Sequence, residues 1–347
     1  MINLEKEIRE QPEVLGRVIS TNDKTLSEAA AAYNIREDIT NIFFAARGTS
    51  DHASIYSVYL FERFIGKPCG LCTCSAITEY GANIDYSHSM VIGVSQSGMA
   101  EDVLAVIEHA KKCGALTLTV TNNTESPLAK AADYHLFCDC GGEKSIAATK
   151  TFTSEMFLLA NLCARITGNE NLKKELDTVP GLVKELLDEM PEAIENRADH
   201  WRFIENAVVL GRGMNYSIAL EGALKVMETN HIHMAGYAIS DFQHGPLAQL
   251  NDRSAAFVIA ASGVTMQDAK TILEKLKVTE CDIILLTDDG ELAAEYDNSF
   301  VIPENSGDIV SPYLFAVTMQ LMALKFTRVR DIDPDVSDVL KKITVTK

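Results

Sequence analysis

The chain is short of positive charge: 31 lysines and arginines stand against 49 aspartates and glutamates, a formal net charge of −18. That balance excludes a polyanion such as nucleic acid as the main partner, while leaving room for a local pocket that takes one phosphate. No basic stretch interleaved with aromatics appears. A zinc signature is also lacking, because Cys72/Cys74 and Cys138/Cys140 are C-x-C pairs inside apparent strands and do not have the C-x-x-C spacing of zinc sites. His231 and His233 stand at i, i+2 and His244 lies further on, a spacing that fits packing or polar networks better than ligation. No metal site is expected, and the thiols are expected to be free, as in a reducing compartment. The N-terminal MINLEKEIREQPEV has no apolar signal core, and no segment approaches the unbroken apolar length of a membrane span. These absences predict a soluble, cytoplasmic protein.

What is present is an ordinary globular balance: 347 residues, 47% apolar and 23% charged, enough for about two domains. The chain also repeats itself. NIFFAARGTS (Asn41 to Ser50) aligns with NAVVLGRGMN (Asn206 to Asn215), setting Arg47 against Arg212 at an offset of 212 − 47 = 165. The same offset lays VIGVSQSG, ending at Gly98, on AFVIAASG, ending at Gly263; LTLTVTNN and DIILLTDD follow in turn. In each copy, short β-rich runs alternate with longer helical patterns, predicting an α/β fold with a parallel sheet covered on both faces. Strands are predicted near Ile42–Ala46, Cys69–Cys74, Val91–Ser95, Leu116–Thr121 and His135–Cys138, then near Ala207–Gly211, Tyr237–Ile239, Ala256–Ala260, Asp282–Thr287 and Phe300–Ile302. The polar helical stretch 169–195, punctuated by Pro180 and Pro191, reads as a connection between domains at 1–168 and 196–330, with a tail at 331–347.

The copies differ where chemistry is expected. VIGVSQSGMAEDV (Val91 to Val103) is a buried strand that ends in Ser95, Gln96, Ser97 and Gly98 and turns into a helix near Glu101. Backbone N–H groups, serine hydroxyls and a helix amino terminus can all donate to an anion there, and Gly98 permits close approach. Thr49 and Ser50, at the neighbouring strand end, add donors across the crevice that α/β sheets use for ligands. The competing reading is that Ser97 merely caps the helix. In the second copy Ala260 and Ala261 replace Ser95 and Gln96, so a phosphate belongs to the first copy. The second copy instead offers IALEGALKVMET, whose helical period places Glu221, Lys225 and Glu228 on one face. Such a face is usually solvated and laced by ion pairs, but His244 follows in the turn AISDFQHGPL, and a histidine near a carboxylate makes a plausible acid–base pair.

Six ordered blocks, ARGTS, SQSG, GEKSIAATKTFTSE, GRGMNYSIALEGALK, HIHMAGYAISDFQHGPL and DVLKKITV, make nearly the whole chain resemble the double-SIS-domain phosphosugar isomerases. It is similar to the isomerase half of glucosamine-6-phosphate synthase, and to amino-sugar-phosphate deaminases and fructosamine-6-phosphate deglycases. The resemblance implies two tandem doubly wound SIS domains and a sugar-phosphate substrate. Thr49, Ser50, Ser95, Gln96 and Ser97 would hold the phosphate and nearby hydroxyls, and Ile146 and Ala148 would line the sugar pocket. Glu228 would move a proton between C1 and C2, with Lys225 beside it. His244 would assist ring opening from the neighbouring subunit of a homodimer, and Lys341, less so Lys342, would close over the sugar from the tail. No redox cofactor or metal would be required. The synthase's glutaminase domain has no counterpart here, so ammonia from glutamine is not expected. Met99 and Ala100 stand where the synthase has Glu and Thr, and Ala148 where it has a serine; these departures fit a different amine-bearing sugar. The expected activity is release of ammonia from glucosamine 6-phosphate to give fructose 6-phosphate. A fructosamine 6-phosphate deglycase, and a non-catalytic sugar-phosphate sensor, are the alternatives.

Overall fold

The structure is a computed structural model that describes residues 2–304, 306–337 and 339–340; Lys341 and Lys342 lie outside the described residues. Each sequence copy forms one five-stranded sheet. The first holds β1 (Asn41–Ala45), β2 (Cys69–Leu71), β3 (Ser89–Val94), β4 (Leu116–Thr121) and β5 (Tyr134–Phe137). The second holds β6 (Asn206–Gly211), β7 (His233–Ala238), β8 (Ala255–Ala260), β9 (Asp282–Thr287) and β10 (Ser299–Val301). Their orders, β2-β1-β3-β4-β5 and β10-β9-β8-β6-β7, are one topology, and every neighbouring pair is parallel. The fold is α/β, with all ten predicted strands present.

Central strands β3, β4 and β8 are buried at every residue, which is why β3 and β8 are almost wholly apolar and why β4, though it alternates Leu or Val with Thr, carries nothing more polar than threonine. In the first repeat, the helix Glu101–Lys112 lays Val103, Val106, Ile107 and Ala110 into a core with Val91, Tyr86 and Leu128. The helices Thr49–Ile65 and Lys150–Thr167 pack against one another. In the second repeat, the helix Met266–Leu276 buries Ala269, Ile272, Leu273 and Leu276 in the equivalent cluster. Two compact units divide the chain. One comprises Glu13–Glu143 and Lys150–Asp177; the other comprises residues 2–12, Lys144–Thr149 and Thr178–Leu340.

Several expectations are corrected. Strand β2 stops at Leu71, because this edge strand pairs only with β1 over three residues; Cys72 still donates to the Phe44 carbonyl, but Cys74 opens the helix Cys74–Thr78. Cys138 and Cys140 likewise lie beyond β5. Strand β7 begins at His233, and Ile239 opens the helix Ile239–Phe242. Its polar start fits an edge strand, and a Cβ on Gly236 would fall 2.5 Å from the Ala219 carbonyl oxygen, so glycine is needed where β7 meets its helix. Pro180 and Pro191 do not break the connection, which is one helix, Glu170–Glu195. Burial of Val179, Val183, Leu187 and Ile194 along it offsets the hydrogen bonds that the prolines forfeit. Among the described residues one helix, Gly307–Val329, is long and apolar enough to cross a membrane, and its apolar stretch is buried inside the fold. A helix packed on all sides is apolar on all sides.

Candidate functional site

In the first repeat the strand order reverses between β1 and β3, and the crevice beyond their carboxyl ends is where α/β sheets take ligands. Thr49, Ser50, Ser95, Gln96 and Ser97 all belong to those two strand ends. Thr49 and Ser50 form the first turn of the helix Thr49–Ile65, entered through Gly48 at φ +55°. The Ser50 hydroxyl donates to Glu155 Oε1 at 2.9 Å, a buried carboxylate that the sequence reading did not single out.

The Ser95–Gly98 turn is tightly built. Ser95 Oγ accepts from the Gly98 N–H at 3.3 Å, and Ser97 Oγ accepts from the Met99 N–H at 3.2 Å. Both oxygens are thus acceptors within the turn, and neither hydroxyl is engaged there as a donor. Ser97 does not cap the following helix, whose N-cap is Ala100 without a side-chain cap bond. Gly98 sits at φ +66°, and a Cβ there would fall 2.1 Å from Ser126 Oγ. The close approach that requires glycine is therefore to Ser126, within the protein, not only to a ligand.

In the second repeat the helix Met214–Asn230 carries Glu221, Lys225 and Glu228 on one face as predicted, but that face is buried rather than solvated. Lys225 Nζ lies 3.1 Å from Glu221 Oε1 and 2.7 Å from Glu228 Oε2, with Lys225 and Glu221 each 2% exposed and Glu228 23% exposed. Burial pulls the Lys225 pKa down, but the two carboxylates outweigh it and hold the pKa well above the ordinary lysine value. A permanently charged lysine thereby presents one carboxylate, Glu228, toward accessible space. Glu221, which completes the arrangement, stood in the same sequence pattern but was not assigned a role. Ile146 and Ala148 are half-buried in the loop Lys144–Thr149, in the same compact unit.

His244 is not brought to a carboxylate. It is exposed in the turn between Ile239–Phe242 and the 3-10 segment Pro246–Gln249; its N–H donates to the Asp241 carbonyl, and its imidazole has no hydrogen-bond partner among the described residues. Cys69 and Cys72 do have the C-x-x-C spacing, but burial pushes each thiol up to about 12, and all eight cysteines are free. Among the described residues no cluster of three or more His, Cys, Asp or Glu side chains could hold a metal ion. Sequence reading also missed a shared device. Arg47 Nε meets Asp102 at 2.7 Å, and Arg212 Nε meets Asp268 at 2.8 Å, each tying the first strand's end to the first turn of a later helix.

The family model for the SIS domain matches residues 37–165 and 204–330, one match per repeat. The chain belongs to the SIS domain family. Two curated relatives are the glutamine–fructose-6-phosphate aminotransferases of Thermococcus kodakarensis, 33% identical, and Aquifex aeolicus, 31% identical. In both, 98% of this chain aligns with only 57% of the relative, so this SIS chain spans little more than half the length of the relatives it matches. Among solved structures, the C-terminal domain of the Francisella tularensis glucosamine–fructose-6-phosphate aminotransferase superposes with a TM-score of 0.85 at 26% identity, covering 96% of this chain and 98% of that one. The glucosamine-6-phosphate deaminase of Thermotoga maritima, at 22% identity and a TM-score of 0.78 over 99% of this chain and 100% of that one, shares the fold.

Proposed function

We propose that this SIS protein is an enzyme of the phosphosugar isomerase type that releases ammonia from glucosamine 6-phosphate. The buried Glu221–Lys225–Glu228 arrangement carries the reading. Burying a lysine between two carboxylates costs desolvation, and here one of the two, Glu228, keeps the access to solvent that a proton-transferring group needs.

In the proposed reaction the first repeat recognises phosphate through Ser95, Gln96, Ser97, Thr49 and Ser50, interactions remote from the reacting carbons. His244, exposed within its own protomer, assists opening of the sugar ring from the neighbouring subunit of a homodimer. Glu228 takes the proton from C2 of the open-chain aldehyde, giving an enolamine, and returns it to C1. The product is the imine of the 2-ketose; one water hydrolyses it, releasing ammonia and leaving fructose 6-phosphate. A base that gives back the proton it takes suffices, and a carboxylate held by a fixed ammonium is suited to that exchange. The similarity to aminotransferases and to a deaminase that act on hexose 6-phosphates supports the substrate class. Domains at 1–168 and 196–330 with a helical connection, a homodimer and a cytoplasmic location form part of the same proposal.

The test is incubation of purified protein with glucosamine 6-phosphate and, separately, with a fructosamine 6-phosphate, following ammonia, free amino acid and hexose phosphate. Ammonia with fructose 6-phosphate is expected from the first. Release of an amino acid from the second would replace the deaminase reading with a deglycase, and sugar-phosphate binding without any turnover would leave a sensor.

A further inference from the structure

The loop Lys144–Thr149 is gripped at both ends by polar side chains that no catalytic role explains. At its start, the Glu7 carboxylate, 4% exposed in the helix Asn3–Arg9, accepts the Lys144 N–H at 2.5 Å and the Ser145 N–H at 3.2 Å, and it also accepts the Ser145 hydroxyl. The Ala147 carbonyl lies 2.8 Å from that same hydroxyl oxygen, so the turn between Ser145 and Ala147 closes on itself over Glu7. At the loop's end, Gln320 Nε2 donates to the Thr149 carbonyl at 3.4 Å, and Gln320 Oε1 accepts from Gln11 Nε2 at 2.8 Å. Gln11 and Gln320 are both buried.

A buried carboxylate is costly unless its acceptor capacity is filled, and here two backbone N–H groups and one hydroxyl of a single loop fill it. Within the loop the Ser145 hydroxyl adds to this grip and Ala147 is buried, while Ile146 and Ala148 remain half-buried. We infer that Glu7 is a positioning residue that fixes the Ser145–Ala148 turn, and through it the wall that recognises the sugar of the substrate. This inference rests on the proposed placing of Ile146 and Ala148 against the sugar. The carboxylate acts by holding backbone geometry; it touches no reacting atom, so its loss changes how well the substrate is held rather than how fast the bound substrate reacts.

The experiment uses the full chain with Glu7→Ala, Glu7→Gln and Ser145→Ala, read by steady-state kinetics with glucosamine 6-phosphate and by amide hydrogen exchange without substrate. Glu7→Ala is expected to raise KM about tenfold or more with kcat within about twofold, the size of effect that losing charge-assisted hydrogen bonds produces. Glu7→Gln, which keeps an acceptor oxygen, is expected to recover part of the loss, and Ser145→Ala to give a smaller rise. Exchange at the Lys144 and Ser145 amides is expected to quicken in Glu7→Ala alone. An active wild type whose KM is unchanged in Glu7→Ala, or whose kcat falls as much as KM rises, overturns the positioning role while leaving the functional reading intact. Faster exchange with an unchanged KM likewise overturns it, since the clamp would then serve stability only. A folded wild type that binds no sugar phosphate overturns the functional reading and this inference with it.

Discussion

The two repeats share one strand order and one arginine–aspartate staple, yet their anion-receptive turns have opposite contents. In the first, the residue after β4 is Asn122, whose amide donates to the Gly141 carbonyl and accepts the Cys140 N–H, facing away into the β5 loop. In the second, the residue after β9 is Asp288, 2% exposed, whose carboxylate accepts the Ser262 N–H at 2.6 Å and the Gly307 N–H at 3.3 Å. The second repeat already contains an anion of its own, at the turn where its counterpart has only the neutral Ser95 and Ser97. A phosphate brought there would meet a like charge and find backbone donors taken. The comparison also weighs Arg47. Because Arg212 makes the same pair with Asp268 where the polar cradle has been lost, the arginine is a staple of the scaffold and not a mark of phosphate recognition.

If the repeats divide the work in this way, variants should separate cleanly. Glu228→Gln carries the largest expected effect, a fall in kcat of about 10³-fold with equilibrium binding of sugar phosphate retained, since only the proton-transferring group is lost. Retained turnover would remove the second repeat from the chemistry. Gly98→Ala should cost about 3 kcal/mol in denaturant unfolding, because the new Cβ meets Ser126 at a positive φ. Gly263→Ala should cost a similar amount for a different reason: its close neighbour, the Asp308 side chain, can move, but its φ of +128° is a conformation that alanine rarely adopts. Ser95→Ala together with Ser97→Ala should raise KM about tenfold with little change in kcat, by loss of charge-assisted donors to phosphate. Ser262→Ala in the other repeat should leave both constants unchanged, and an equal KM shift from it would erase the distinction. Asp288→Asn is the mildest, about 1 kcal/mol of stability from losing one of its two backbone hydrogen bonds, since the amide nitrogen cannot accept an N–H, with kcat/KM unaltered.

Much of the architecture was legible because buried parallel strands write themselves as apolar runs and because the chain states its plan twice. Boundaries failed at edge strands β2 and β7, where pairing on one side only decides how far the ladder extends, and no local pattern encodes that. The face of Glu221, Lys225 and Glu228 was legible as a face, but the burial of Glu221 and Lys225 was not: three charged residues at helical spacing normally mean solvent, whereas this helix packs on β6, β7 and the helix Gly307–Val329. That latter helix was not singled out in the sequence, since its scattered polar residues interrupt the apolar run. Glu7, Glu155 and Asp288 were invisible for a common reason. Each draws its meaning from a partner far along the chain, Ser145, Ser50 and Ser262 in turn, and an isolated acidic residue reads as surface.

The all-parallel pairing sets this chain a problem of assembly. A parallel ladder has no hairpin to nucleate it, so each strand must wait for a crossover to close before it gains a single bond, and folding is slow on that account. Two sheets of one topology in a single chain add a second hazard, since β6 arriving in place of β1 would find a familiar neighbour. Backbone ladders of one topology cannot tell such strands apart; only side chains can, and NIFFA and NAVVLG differ in the side chains they bring to their cores.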